Sequence, residues 1–172
     1  MDVYEAIAER RSVRRFQDKD VEQVVLERLL EAAVKAPSAG NLQPWRFIIV
    51  RGEDAKHELA VAAGFQRFVE AAPVVLAVGA DLSVAGGRYG TRGRELYAIQ
   101  DTAAAIENLM LAAVAEGLGT CWVGAFDEEM AARTLGCEDS QRVLALLVLG
   151  YPADGGGRTR RLGLEHVTRD VR

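Results

Sequence analysis

Apolar residues recur along this chain with two periods, which together predict an alternation of helices and short strands. Helices are predicted where apolar positions lie three or four residues apart, because that spacing places them on one helix face. Strands are predicted where short β-branched and aliphatic runs are bounded by turn residues. On these criteria the helices span residues 3–9, 55–63, 97–116 and 128–135, with a further helix after Asp20, and the strands span residues 46–50, 74–78, 120–123 and 143–149.

Two of these helices carry additional signals. Asp20 is predicted to be an N-cap, and a glutamine three residues later would complete a capping box. Pro37 is predicted to end that helix, because the residue before a proline is displaced from the helical region. In the long helix, the stretch 102–115 has only Glu107 and Asn108 as clearly polar side chains. A helix that is apolar nearly all round must be buried, either centrally or against a partner chain.

Two segments lack a core pattern and are predicted to lie outside the regular elements. The first is a glycine- and arginine-rich stretch at residues 81–94, expected to be a loop long enough to act as a lid or a mobile segment. The second is residues 152–172, which hold five arginines besides several glycines. We expect this segment to be a C-terminal arm that lies on another surface.

The composition is that of one folded domain. The chain has 172 residues, of which 49% are hydrophobic and 27% charged, which excludes intrinsic disorder. Its net charge of −4 disfavours a general nucleic-acid binder. No apolar run is long enough to span a bilayer, and the first residues lack the apolar segment of a signal peptide. We therefore expect a cytoplasmic protein without nucleic-acid or membrane partners.

The alternation of helices and strands is typical of a doubly wound parallel sheet. However, the glycine-rich fingerprints of Rossmann and P-loop nucleotide sites are missing from the sequence. Metal chemistry is also disfavoured, because two histidines and two cysteines without a C-x-x-C spacing make no credible zinc ligand set. Cys121 and Cys137 are interpreted as packing residues.

Three polar segments are candidates for chemistry. The first, RRSVRRF at residues 10–16, offers forked guanidinium donors and a hydroxyl that suit a phosphate monoester. A solvated basic turn is the alternative. A second basic cluster, RTRR at residues 158–161, lies near the other end of this acidic chain, so the two clusters are candidates to converge on one dianion.

The second segment, APSAGNLQPW at residues 36–45, predicts a stiff loop whose amides can read the polar edge of a heteroaromatic ring. The alternative is an ordinary helix-to-strand connection with Trp45 in the core. The third, GLGTCWVGAF at residues 117–126, ends a strand with Gly124 and Ala125, small residues that allow close backbone approach to a ligand. The alternative is a strand that enters a tight turn.

Together with RGRELYAIQDTAAAIENLMLAA, these three motifs resemble, in order and spacing, the nitroreductase family of FMN-dependent oxidoreductases. The resemblance covers roughly residues 4–167. It implies an α+β fold, a nitroreductase-like sandwich in which a mixed central sheet is flanked by helices, as a single domain over residues 1–172. It also implies an intertwined homodimer with two FMN sites at the interface, each formed by both chains.

The resemblance implies a cofactor-binding role for residues of all three motifs. The residues implied to bind the phosphate and ribityl end of FMN are Arg10, Arg11, Ser12 and Arg14. Arg158, Arg160 or Arg161 would complete the phosphate clamp. The residues implied to border the isoalloxazine ring come from the second chain and are Pro37, Ser38, Ala39, Asn41 and Gln43. The backbone implied to lie near the reactive flavin nitrogen is that of Val123, Gly124 and Ala125. Gln66 and Arg67 are further candidates. Larger family members often carry a glutamate at the position of Gly124 and extra helices over the substrate pocket, so the substrate class stays open.

The implied activity is a two-step exchange. NADH or NADPH reduces the bound FMN and leaves, and a small oxidised acceptor such as a nitroaromatic or a quinone then uses the same face. Neither a catalytic side chain nor a metal is required, since the flavin carries the chemistry. Candidate contacts for the acceptor or the nicotinamide are Arg88, Tyr89, Arg92 and Arg94. The alternatives are a same-fold reductive dehalogenase, enoate reductase, azoline dehydrogenase or flavin-degrading enzyme, a non-catalytic flavin-storage protein, and a structural dimer without flavin.

Overall fold

A four-stranded sheet forms the middle layer of the molecule. The computed structural model describes residues 1–155, 157 and 159–171. Its strands are β1 (Trp45–Val50), β2 (Val74–Asp81), β3 (Gly119–Val123) and β4 (Gln141–Gly150). They lie in the order β1-β2-β4-β3, and each neighbouring pair is antiparallel.

The sheet was predicted to be mixed, but each neighbouring pair of its four strands is antiparallel. Among the described residues, the parallel pairing is an isolated bridge between Ser12 and Thr120. The residue pattern did not specify strand direction, because β2 and β4 are buried on both faces. Such strands are continuous apolar runs whichever way their neighbours point.

Helices cover both faces of this sheet. They are α1 (Val3–Glu9), α2 (Gln23–Ala33), α3 (Glu53–Ala62), α4 (Arg67–Glu70), α5 (Leu82–Arg92), α6 (Ala98–Ala115) and α7 (Glu128–Leu135). The first core cluster joins α2 and α6 to one face, and the second joins α3, α4 and α7 to the other. Alternate residues of β2 supply the two clusters, with Leu76 in the first and Val75 and Ala77 in the second.

One face of helix α6 is buried in the core, whereas apolar residues of its other face, such as Ala103, Leu111 and Val114, are only partly buried in this chain. Ala105, Ile106 and Leu109 are inaccessible to solvent and pack in the same cluster as α2 and the sheet. Thr102 is also buried, and its hydroxyl donates to the carbonyl oxygen of Ala98 at 2.7 Å. Neither α6 nor any other described helix is both long and apolar enough to cross a membrane.

The predicted start of the second helix is wrong. Helix α2 begins at Gln23 after Glu22, whose side chain makes no capping hydrogen bond, and Asp20 lies outside the helix. The reason is tertiary: the Val21 side chain is only 1% exposed, and its carbonyl oxygen accepts a hydrogen bond from Arg51 Nη2 at 2.8 Å. These contacts fix the backbone before the helix and override the local capping pattern.

The predicted loop at residues 81–94 is also wrong, because this segment is helical. The Asp81 carboxylate caps α5 by accepting from the Ser83 amide at 3.0 Å and the Ser83 hydroxyl at 2.6 Å. After α5 the chain makes a π-helical turn, Gly93–Tyr97, which leads into α6. A Cβ at Gly93 would overlap the carbonyl oxygen of Ala85. Glycine therefore serves close packing here, which composition alone cannot distinguish from a loop.

The segment after α1 docks along β3 and the end of β4. The Val13 amide donates to the Thr120 carbonyl oxygen, and the Gln17 amide to the Tyr151 carbonyl oxygen, each at 2.8 Å. Val13 is buried directly against Gly119, where an added Cβ would lie 2.7 Å from the Val13 Cβ. The segment can lie this close to β3 because position 119 has no side chain.

Substituting Gly119→Ala is expected to destabilise the protein by about 1–3 kcal/mol, the usual range for overpacking a well-packed site. The methyl group would force Val13 and its neighbours away from β3. Thermal unfolding followed by circular dichroism would measure this as a Tm lowered by about 2–4 °C per kcal/mol. Gly87→Ala is the control, since a Cβ there meets nothing within 4 Å. Equal unfolding temperatures for the two variants would contradict the close packing.

Candidate functional site

The arginine-rich segment alternates its side chains between two directions as it runs beside β3. Val13 points inward and is buried, whereas Ser12 and Arg14 are exposed on the other side. Arg10 is held by α6, its Nε lying 3.5 Å from Glu107 Oε1. The hydroxyl and the Arg14 guanidinium are therefore presented together to solvent, which is the arrangement an anionic group needs.

Arg11 lines a different region from Ser12 and Arg14. It borders a cleft of about 230 Å³ that also includes Val13, Leu118 and Thr120. Its Nη1 donates to the carbonyl oxygen of Glu9 at 3.3 Å, and its Nε is buried without a hydrogen-bond partner among the described residues. Leaving a buried donor unpaired costs about 1–3 kcal/mol, so an external acceptor at this position would be stabilised.

Arg14 connects this segment to α4. Its guanidinium carbon lies 5.6 Å from the centroid of the Phe68 ring. Just before α4, Phe65 is held in the left-handed region with φ of 60° although its side chain is 75% exposed. The Gln66 side chain donates to the Ala63 carbonyl oxygen at 2.8 Å. The predicted candidates Gln66 and Arg67 thus lie in the chain next to a residue that contacts Arg14.

The turn after β3 exposes backbone amides. Val123 is buried, whereas Gly124 and Ala125 are exposed, and within the described residues no backbone hydrogen bond outside the strands uses their amides. The turn is tied to the end of α3 by a hydrogen bond of 2.9 Å from the Asp127 amide to the Ala62 carbonyl oxygen. These exposed amides can therefore donate to a ligand.

Cys121 lies beneath this surface as a packing residue. Burial raises the pKa of its thiol, an effect that the nearby Arg14 charge and a hydrogen bond with Ser12 only partly offset. Burial also raises the pKa of Cys137. A protonated thiol is a poor nucleophile, so neither cysteine is suited to thiol catalysis. No group of three metal-ligating side chains occurs in the part of the chain that the structure describes.

The loop before β1 has an unusual backbone. Gly40, Asn41 and Gln43 have φ values of 58°, 56° and 52°. Non-glycine residues rarely adopt this region unless surrounding contacts maintain it. One such contact is the Ser38 hydroxyl, which accepts a hydrogen bond from the Gln43 amide at 3.0 Å. Trp45, which follows the loop, is buried in the core, but the strained and exposed residues before it are more than a simple connection needs.

Asp101 of α6 fixes this loop, and it is a residue that sequence reasoning missed. The two carboxylate oxygens of Asp101 accept from the Ala39 amide at 3.0 and 3.1 Å. The residue is only 8% exposed, and burial raises the pKa of its carboxyl group, an effect that the Ala39 amide partly offsets. The available signal was a single acidic residue at the start of an otherwise apolar helix.

The two halves of the candidate site lie at opposite edges of the sheet. The 37–44 loop leads into edge strand β1, whereas residues 10–14 run beside edge strand β3. Within the described residues, no hydrogen bond or ion pair joins one to the other. Helix α6 supports both, through Asp101 on one side and Glu107 on the other. The structure therefore does not bring the predicted residues together within one chain.

Among the described residues, Arg160 and Arg161 form no hydrogen bond or ion pair with either half, although the arm begins beside the arginine-rich segment, where Asp154 Oδ2 lies 3.1 Å from Arg15 Nε. Arg160 and Arg161 are exposed, and Arg161 Nη1 donates to the Thr159 carbonyl oxygen at 3.1 Å. Arg158 lies outside the described residues. The arm also exposes large apolar side chains, namely Leu162, Leu164, Val167 and Val171. The convergence of the two basic clusters on one anion thus stays a prediction.

Asp101→Ala is expected to destabilise the protein by about 1–3 kcal/mol, because the Ala39 amide loses its buried acceptor. Asp101→Asn keeps an acceptor oxygen and is expected to lose less. Chemical denaturation would measure both, with Asp139→Asn, an exposed carboxylate, as the control. An Asp101→Ala protein as stable as the control variant would contradict the anchoring role.

The stability of the wild type and that of Asp101→Asn should also depend differently on pH, in a direction that the raised pKa fixes. Because the pKa of Asp101 is raised in the folded state, the folded protein binds its proton more tightly than the unfolded chain. Ionisation therefore lowers stability as pH rises from the ordinary value of 3.8 through the raised value. The free energy of unfolding of the wild type should fall across this range relative to Asp101→Asn. Parallel curves for the two proteins would show that folding does not raise the pKa of Asp101.

Known proteins resemble this chain in both sequence and fold. A Thermus thermophilus protein named NADH dehydrogenase is 36% identical, and the match covers 97% of this chain and 95% of that protein. A Bacillus subtilis protein named as an NAD(P)H-dependent FMN reductase is 30% identical, with 96% and 72% covered. A solved structure from Exiguobacterium sibiricum, described as a nitroreductase in complex with FMN, has a TM-score of 0.91 at 25% identity, with 99% and 98% covered.

These similarities confirm the α+β sandwich that the sequence motifs predicted. The sequence model described as the Nitroreductase family matches residues 7–64 and 53–151. Those residues include the arginine-rich segment, the strained loop before β1 and the turn after β3. With the family model covering most of the chain and a relative matching nearly all of it, this protein belongs to the nitroreductase family.

Proposed function

We propose that this protein is an FMN-dependent oxidoreductase that uses NADH or NADPH to reduce small oxidised acceptors such as nitroaromatics or quinones. The observation that carries the proposal is that two of the family motifs present exposed donors, namely Ser12 and Arg14 beside β3 and the backbone amides of Gly124 and Ala125 after it. The names of the relatives support it, since they include an FMN reductase and an FMN complex.

The residues present fit FMN. Arg10, Ser12 and Arg14 would supply donors for the phosphate and ribityl groups. The guanidinium of Arg11 borders the separate cleft with its Nε buried, so Arg11 does not share their surface in this chain. Val123, Gly124 and Ala125 supply backbone at the reactive edge of the ring. Pro37, Ser38, Ala39, Asn41 and Gln43 of a second copy would border the ring plane, and Arg160 or Arg161 would reach the phosphate. Bound there, FMN supplies the capacity to accept a hydride from a nicotinamide and pass the electrons to an acceptor.

The task of the protein is binding and positioning. Asp101 is occupied by the Ala39 amide, and Cys121 is held protonated by burial, so neither serves as a general base in the proposed reaction. The Asp101 contact holds the strained 37–44 loop in one conformation before any ligand binds. A preorganised loop excludes water from the ring face and loses less entropy when substrates stack there.

The proposed assembly is an intertwined homodimer. One chain holds the two halves of the site at opposite edges of its sheet, so a second copy is required to bring a 37–44 loop to residues 10–14. Exposed apolar side chains on α1 and the arm supply the contact surface, with Tyr4 80% exposed and Leu164 75% exposed. Burying such side chains is the main driving force for obligate association. Light scattering of the purified protein should give twice the chain mass, and a monomer that retains FMN would contradict this assembly.

The proposed activity is tested first by the absorbance spectrum of the purified protein. Flavin bands that bleach when NADH or NADPH is added without oxygen would support the proposal, and acceptors would then be compared by the rate at which each restores the bands. Flavin that binds but does not bleach would favour a storage protein and contradict the proposed donor. A colourless protein that does not bind added FMN would overturn the function entirely.

The double variant Arg10→Ala and Arg14→Ala is expected to weaken FMN binding strongly. Each charge-assisted hydrogen bond to phosphate contributes about 1.5–3 kcal/mol, so the Kd should rise by at least about tenfold per arginine. Quenching of FMN fluorescence would measure the Kd. Arg133→Ala is the matched control, because Arg133 is an exposed arginine of α7 outside the proposed site, paired with Glu129 at 3.8 Å. Unchanged flavin content in the double variant would mean that the phosphate lies elsewhere.

A further inference from the structure

Five side chains on α5 and the π-helical turn form a cluster that the proposed FMN site does not use. This α5 cluster consists of Arg88, Tyr89, Arg92, Arg94 and Tyr97. The two tyrosine rings meet edge to face with centroids 5.2 Å apart. The guanidinium carbons of Arg88 and Arg92 lie 5.5 and 5.4 Å from the centroids of Tyr89 and Tyr97. Arg92 Nε also donates to the Tyr97 hydroxyl at 2.9 Å, so the cations are ordered on aromatic faces.

The positive charge of the α5 cluster is not neutralised within the described residues. None of its three guanidinium groups makes an ion pair there, although Glu95 lies in the same turn. By contrast, Arg28 and Arg142 each pair with a carboxylate at 2.7 Å. Three unpaired arginines on one segment of a chain with a net charge of −4 create a local positive potential that attracts anions.

The α5 cluster borders the loop assigned to the flavin ring. A Cβ added at Gly40 would lie 2.6 Å from the Tyr89 hydroxyl oxygen and 3.2 Å from the guanidinium carbon of Arg88. Arg88 and Tyr89 thus pack against the strained part of the 37–44 loop. The outer end of a molecule stacked beside that loop would contact the α5 cluster.

Glycines fix the shape of the α5 cluster. Gly90 has φ of 58° and ψ of −140°, a conformation that needs glycine, and it breaks α5 before the π-helical turn. A Cβ at Gly86 would lie 2.6 Å from Arg94 Nε, so the turn folds back closely onto α5. The guanidinium groups are therefore carried on a backbone with a defined conformation, and short π-helical segments are frequent at functional sites.

We propose that the α5 cluster binds the phosphate groups of the nicotinamide dinucleotide. This inference rests on the proposed function, in which the nicotinamide ring stacks beside the 37–44 loop. Guanidinium forks bind phosphate oxygens in pairs, and the tyrosine rings hold two of these forks in place. A single carboxylate on an acceptor would engage one guanidinium, whereas a diphosphate offers enough oxygens for all three cations.

Binding is tested with ADP-ribose, which carries the diphosphate and adenosine but no nicotinamide. Calorimetric titration of the protein as purified should give a Kd that rises at least about tenfold in the double variant Arg88→Ala and Arg92→Ala, as expected for one lost charge-assisted hydrogen bond. Arg133→Ala should bind as the wild type does, and Arg88→Lys should retain more affinity than Arg88→Ala. An unchanged Kd in the double variant, or no binding by the wild type, would overturn the proposal.

Flavin reduction by two donors tests whether the contact is with phosphate. NADPH is compared with 1-benzyl-1,4-dihydronicotinamide, which has no phosphate, by stopped-flow absorbance. The double variant should raise the concentration of NADPH needed for half-maximal reduction and affect the benzyl donor far less. Equal losses with both donors would mean that the arginines only support the flavin site. A loss confined to the anionic acceptor 4-nitrobenzoate would place an acceptor there instead, and either result would overturn the proposal.

The two experiments separate the cluster from the wider function. ADP-ribose binding requires no hydride transfer, so its loss in the double variant supports the phosphate site even if NADPH fails to bleach the flavin. Failure of the wild type to be reduced by either donor contradicts the proposed activity alone. Normal reduction with an unchanged ADP-ribose Kd contradicts the α5 cluster alone.

Discussion

Helix α6 packs against α2 and one face of the sheet, which removes one of its apolar faces from water. Each fully buried aliphatic side chain, such as Ile106 or Leu109, contributes about 1.5–3 kcal/mol. The helix cannot shift without losing several of these contributions together. Its two polar attachments, Asp101 and Glu107, are therefore fixed relative to each other, about 9 Å apart along the helix axis. The loop before β1 is anchored to this helix by Asp101, and the arginine-rich segment, which docks on β3, meets it through the Arg10–Glu107 ion pair.

This arrangement separates the parts of the candidate site within one chain. The edge strands β1 and β3 are separated by β2 and β4, and three strand spacings amount to about 14 Å. Side chains at the two edges cannot share one small ligand group across that distance. In the proposed dimer, the residues that the family motifs name would meet only through association between copies.

Much of the fold could be predicted because its elements are decided locally. The helix at residues 128–135 coincides with α7, which has its own side-chain cap at Asp127 and a left-handed glycine at its end. Strand direction could not be predicted, since buried strands such as β2 have the same pattern in either arrangement. Helix α5 was missed because its glycines serve close packing against Ala85 and Arg94, a tertiary requirement without a local signature.

The candidate site, like the fold, could be predicted only in part. The motifs identified the segments, and the alternation of Ser12, Val13 and Arg14 is what an extended segment with one buried face predicts. Asp101 was missed because its partner, the Ala39 amide, lies 62 positions away in sequence.

The docking of the N-terminal segment has a consequence for how the protein is made. The Gln17 side chain donates to the Pro152 carbonyl oxygen across 135 residues of sequence, and Val13 pairs with Thr120. During translation, residues 10–14 leave the ribosome long before β3 and β4, the strands against which they pack, have been synthesised. Contacts of such sequence separation close late in folding. The surface proposed to bind the phosphate is therefore assembled only after β3 and β4 have been synthesised, and cofactor capture must follow it.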